Sequence, residues 1–158
     1  MAERAGVSRA TVFRYFESLP ELRMAVRRRT LTRFPQLFAL PSAGPALDHR
    51  IDGFVDARTA LYEQLHPLLG LERLQDSRQP DIAHLVATRH RFFERQTREY
   101  FEPHLDELDS SRREDLLTAV SILTSFESWD QLRRTLEASA EETNLRWRRI
   151  VKLLFADA

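Results

Sequence analysis

No cysteine occurs among the 158 residues, so disulfides and thiolate chemistry are excluded. Long apolar runs are also missing: none approaches the roughly 18–20 residues that span a bilayer. Nothing resembles a signal peptide, and a cytoplasmic protein with no membrane partner is expected. Glycine is scarce, with four in the chain, and these form neither a phosphate-cradling loop nor a Gly-x-Ser-x-Gly elbow. The five histidines stand at positions 49, 66, 84, 90 and 104 with no i, i+4 pair among them. Helical zinc chelation and a His-Glu-x-x-His arrangement are therefore not expected. Carboxylates are plentiful but scattered among arginines, which favours surface ion pairs over paired acid–base chemistry. The expectation is a chain with no metal, no cofactor and no enzymatic activity.

What is present is charge, unevenly placed. Lys and Arg number 24, as do Asp and Glu, for a formal net charge of zero. Residues 1–33 nonetheless hold eight arginines against three glutamates, a net of +5 that leaves −5 for the remainder. A basic head on an acidic body is the asymmetry of a nucleic-acid-binding module joined to something else. The Arg27-Arg28-Arg29 run reads first as a solvated helix face.

Apolar periodicity is helical throughout, and no window alternates with period two long enough to argue a strand. The expected fold class is all-α. Ser18 caps a helix with Pro20 in its first turn, running to about Arg33. Pro35, Pro41, Gly44 and Pro45 mark a joint, dividing a head at 1–33 from a larger module at 46–158. An apolar stripe runs from Ala46 to about Leu65, after which Pro67 and Gly70 are expected to break the helix and leave a short one at 71–77. Pro80 opens a long helix that closes before Pro103. Ser110 or Ser111 starts the penultimate helix, expected to run unbroken through Leu116, Leu117, Val120, Leu123, Phe126, Leu132 and Leu136. The last helix begins near Ala140.

The most specific stretch is residues 1–16. In Ala5-Gly6-Val7-Ser8, glycine can end one helix at positive φ and the serine hydroxyl can cap the next. This predicts a helix–turn–helix joint. Val12 and Phe16 are four apart and share the inward face of the second helix. Arg9, Ala10, Phe13 and Arg14 then face outward, where a recognition helix meets the major groove. Arginine at such a position reads guanine for about 1–3 kcal/mol of discrimination.

These residues resemble the tetracycline-repressor (TetR) family of transcriptional regulators. Ala2, Ala5, Gly6, Val7, Ser8, Thr11, Tyr15 and Phe16 fit its N-terminal pattern, with Phe13 in place of a tyrosine. Ser125 to Arg134, followed by Glu141-Glu142 at a helix start, is similar to the last two helices of many such proteins. The resemblance implies that Thr11 and Tyr15 contact phosphates while Arg9, Ala10, Phe13 and Arg14 face the bases, after the Ser8 cap. It departs at Leu19, where the family carries a phosphate-binding lysine. Losing that cation flattens the salt dependence by about one unit per half-site. Phe13 lacks a hydroxyl bond worth about 1 kcal/mol. Family members also carry a first helix upstream of the position that Met1 occupies. The head is accordingly expected to be incomplete, a shortened product or a misassigned start, with weakened binding to its double-stranded DNA operator.

The same resemblance implies a helical ligand-binding and dimerisation bundle behind the head. Phe54, Leu61, Leu65, His84, Phe92, Phe93, Phe126 and Trp129 are the candidate lining for a small apolar effector. The last two helices are apolar on more than one face, which calls for a second partner. Leu116, Leu123, Trp147, Ile150, Val151 and Leu154 are the candidate homodimer interface, with two heads about one DNA turn (~34 Å) apart. The expected function is a ligand-responsive regulator, most simply a repressor, acting as a homodimer on a palindromic operator. The alternative is a small-molecule sensor and dimerisation module that no longer binds DNA.

Overall fold

The computed structural model describes residues 15–16, 18–42, 44, 46–73, 80–106 and 108–157. Among these every regular element is a helix, so the fold is all-α. The chain divides into two compact units, Met1–Gln36 and Leu37–Ala158.

In the first unit, helix α1 spans Leu19–Arg33. Ser18 is its N-cap, its hydroxyl accepting from the Glu21 amide at 3.3 Å. Proline falls in the first turn, where its missing amide is one of the unbonded donors anyway. The helix ends at Phe34, whose amide still reaches the Thr30 carbonyl at 3.0 Å. Residues 1–14 lie outside the described residues, and with them the expected helix–turn–helix joint.

The second unit holds α2 (Leu47–Arg73), α3 (Pro80–Phe101), α4 (Ser110–Leu123), α5 (Phe126–Asp130) and α6 (Ala140–Ala156). Its core runs along α2 through Ile51, Phe54, Val55, Leu61, Tyr62, Leu65 and Leu69. That spacing of three and four is one helical stripe. Phe101, Leu105, Leu116, Leu117, Val120, Phe126, Trp129, Trp147 and Val151 close over it from the other elements. Gly53 sits where a Cβ would meet the Pro41 ring at 3.0 Å and the Tyr100 hydroxyl at 3.4 Å. The missing side chain lets both approach the helix.

Helices α2 and α6 are antiparallel, and their seam is charged. Lys152 reaches Asp48 and Asp52, each at 3.3 Å, and Arg148 reaches Asp52 at 3.4 Å and also Asp56. Asn144 donates to Asp56 at 2.9 Å. Carboxylates on one helix and cations on the other therefore recur at intervals of four residues, the spacing that keeps side chains on one face.

Two helix boundaries differ from expectation. Helix α2 continues through Pro67 to Arg73. An internal proline leaves the carbonyl four residues earlier, here Glu63, without its amide donor. The His66 imidazole Nδ1 lies 2.9 Å from that carbonyl oxygen and takes the donor's place. The penultimate helix, in contrast, is not continuous. α4 stops at Leu123, and Ser125 caps a new start by accepting from the Ser128 amide at 3.2 Å. α5 then widens into a π turn over Gln131–Thr135. Past it, Glu137 takes a left-handed φ of 52°, a conformation that costs a non-glycine residue about 1–2 kcal/mol. The reversal that it completes is closed by the Ala138 amide on the Leu132 carbonyl at 2.9 Å. α6 begins with a full capping box: the Ser139 hydroxyl accepts from the Glu142 amide at 3.1 Å, and the Glu142 carboxylate accepts from the Ser139 amide at 2.7 Å.

Candidate functional site: a cavity between four helices

A cavity of about 430 Å³ opens in the second unit, within the size range of small-molecule pockets. Its walls are Tyr62 from α2, Arg89, His90, Phe93 and Glu94 from α3, Thr118, Ser121 and Ile122 from α4, and Ser125, Phe126 and Glu127 at the start of α5. The residues contributed by α3, and those from 118 to 125, each recur at three and four, so each set is one helix face. The α4–α5 break places Ser125 and Glu127 at the wall.

Its floor is aromatic. The Tyr62 ring meets Phe93 at 6.0 Å and Phe126 at 5.7 Å between centroids, both edge to face. The Tyr62 hydroxyl is spent inside the protein, donating to the Thr124 carbonyl at 3.1 Å. Burial is the chief cause that pushes its pKa up to about 12, against the opposing pull of Arg58.

On one wall Arg89 donates to Glu127 at 2.6 Å with its side chain 8% exposed. The guanidinium also lies 5.6 Å from the Phe126 ring centre. The second Glu127 oxygen is 3.3 Å from His90 Nε2. Burial tends to raise the Glu127 carboxyl. The charge of Arg89, a backbone hydrogen bond and His90 together outweigh it and hold that carboxyl below its usual value. Beneath the floor sits Arg58, 2% exposed, at 5.0 Å from the Phe54 ring centre and 4.2 Å from that of Phe93. It donates to the Phe93 carbonyl at 3.2 Å, and its Nε has no hydrogen-bond partner. No carboxylate of the described residues pairs with it, and desolvation lowers its pKa.

Of the residues expected to line a pocket, Phe93 and Phe126 do so. Phe54, Leu61, Leu65 and Trp129 are buried in the core instead. His84 and Phe92 are exposed on α3, with Phe92 edge-on to Phe38 at 6.4 Å. The polar wall of Arg89, His90, Ser121 and Glu127 escaped the sequence reading, since Arg89 and Glu127 stand 38 positions apart. Arg58 left a legible sign, being an arginine one turn from both Phe54 and Tyr62 on the apolar stripe of α2.

The expected interface residues also divide. Leu116, Trp147 and Val151 are enclosed in the unit's own core and offer no surface to a second copy, the last two because α6 turns that stripe toward α2. Leu123 and Leu154 are half-buried against that core. Ile150 is exposed, as are Leu145 and Leu153 on the same helix and Ile122 at the cavity edge. Of the expected DNA contacts, Ser8, Arg9, Ala10, Thr11, Phe13 and Arg14 fall outside the described residues, and Tyr15 is exposed.

A second recess, lined by Asp56, Glu63, Glu141 and Arg148 among others, follows the α2–α6 seam. Asp56 is paired with Arg148 across that seam and Glu63 with Arg133 from the π turn, and the recess has no aromatic lining. Among the described residues no three His, Asp or Glu side chains converge as metal ligands. No helix among them is long and apolar enough to cross a membrane. The chain matches no family model, no curated protein and no solved structure.

Proposed function

We propose that this chain is a ligand-responsive transcriptional regulator of the kind that its N-terminal motif resembles, a TetR-like protein that binds a palindromic operator as a homodimer. The observation that carries this reading is a small-molecule-sized, aromatic-floored cavity in a unit separate from an arginine-rich N-terminal unit. An aromatic-floored cavity of this size suits the binding of a small molecule, and a basic unit bearing Ala5-Gly6-Val7-Ser8 suits the reading of DNA. The exposed Ile150 and Leu153, one turn apart on α6, supply an apolar face for a second copy. In this reading occupancy of the cavity biases the head between two arrangements, a coupling typically of about 1–3 kcal/mol.

The test is selection of a random duplex pool by the full-length chain, followed by gel shift on the enriched sequence. Two inverted half-sites about one helical turn, or a multiple of it, apart are expected. Arg14→Ala should weaken the selected duplex by about tenfold or more while sparing non-specific binding. A pool that stays random through selection overturns the DNA-binding part and leaves a sensor module.

A further inference from the structure

We propose that the segment Leu37–Pro41 is a latch released by occupancy of the cavity, through a relay of rings on α3. The proposal rests on the reading of this cavity as an effector site and names the segment that occupancy moves.

Leu37 is the first residue of the second unit, so this segment is the stretch of chain that leads out of the arginine-rich one. It is held along one stripe of α3. The Phe38 ring stands edge-on to Phe92 at 6.4 Å, and the Phe38 carbonyl accepts from the Gln96 side-chain amide at 2.5 Å. Pro41 and the Tyr100 hydroxyl both approach Gly53. Phe92, Gln96 and Tyr100 are four residues apart, the spacing of one helix face. Leu37, Phe38 and Leu40 are half-buried against the core.

Another face of the same helix is a cavity wall, made by Arg89, His90, Phe93 and Glu94. Successive residues on a helix point about 100° apart. Phe92 therefore meets the segment while Phe93 meets the cavity, with their ring centres 5.2 Å apart. The Phe93 ring is backed by the Arg58 guanidinium at 4.2 Å and by the Tyr62 ring at 6.0 Å. Phe92 is 37% exposed and has room to move. A close-packed wall cannot admit an occupant without shifting a neighbour, and here the neighbour with room carries Phe38. The polar tie that remains is half satisfied: the Gln96 side-chain oxygen is buried without a hydrogen-bond partner, which lowers the cost of letting go.

The chain has no cysteine, so Leu40→Cys in the full-length protein reports opening of the segment through its thiol-labelling rate. Ser121→Trp fills the cavity in place of an occupant, and Thr118→Trp on the same wall replaces it should it fail to fold. Filling should speed labelling at Leu40→Cys about fivefold. The rate at Val120→Cys, buried on α4, reports global unfolding and should not follow. Phe92→Ala should raise the unfilled rate and cut the response to filling to within about twofold. Gln96→Ala should also raise the unfilled rate but keep the response. A rate indifferent to filling, a rise shared with Val120→Cys, or a response that survives Phe92→Ala would overturn the relay. None of these measurements involves DNA or a ligand, so their failure leaves the regulator reading to the duplex selection, and failure of that selection leaves the latch standing.

Discussion

The two sides of α2 solve opposite problems. Along the α6 seam, Asp48, Asp52 and Asp56 each meet a cation from the facing helix. Along the cavity side the polar groups are only partly matched: Arg89 and Glu127 satisfy each other, while the Ser121 oxygen has no hydrogen-bond partner. A matched surface has nothing left to offer a ligand, because its charges are already neutralised. An incompletely matched one holds the capacity to bind. The difference separates the part of the unit that holds it together from the part available for recognition.

The largest effect should come from the residue that both sides share. Trp147 is fully buried and meets Tyr62, itself on the cavity floor, at 6.3 Å between ring centres. Trp147→Ala should cost about 3–5 kcal/mol in urea denaturation and blunt both regions together. A loss below 1 kcal/mol would mean that the core does not run through this ring.

Arg148→Ala acts on the seam alone. It removes one cation from both Asp52, which keeps Lys152, and Asp56, from a side chain 28% exposed, and should cost about 1 kcal/mol, shrinking at high salt. Binding of a cavity probe should not change. A salt-independent loss would assign the effect to the packing of the arginine stem.

Glu127→Gln acts on the cavity side and carries a pH signature. The folded Glu127 carboxyl is held below its ordinary 4.5. Its contribution is therefore fully present above that value and lost as pH falls through the lowered one. The variant should lose about 1 kcal/mol at neutral pH, with allowance for a carboxylate 46% exposed, and its stability should fall less steeply in acid. Parallel acid limbs for variant and parent would remove Glu127 from that account.

Most of the fold was readable because its signals are local. Ser18 with a proline two residues on, the acidic Glu141-Glu142 start and the Pro80 start each occupy a few consecutive residues and declare a helix end by themselves. Pro67 misled because a breaker was weighed without its neighbour, although His66 stands beside it. The α4–α5 break was hidden for another reason. Val120, Leu123 and Phe126 keep helical spacing across it, and the apolar pattern does not register that Ser125 has turned to cap. The cavity was the least legible part. Aromatic residues announce themselves as lining, yet six of the eight expected residues serve elsewhere, because burial in a core and burial at a pocket draw on the same residue types. Its polar wall comes from convergence across α3, α4 and α5, which no window along the chain contains.

The spacing of the α2–α6 seam has a mechanical corollary. Lys152 and Arg148 each straddle two carboxylates of α2. A slide of α6 by one turn, about 5.4 Å, would exchange electrostatic partners more than abolish them. Opposite charges therefore select the direction in which the helices run but only weakly oppose shear. The detent that fixes their register is steric: the indole of Trp147 and the side chain of Val151, seated where no ionic strength can loosen them.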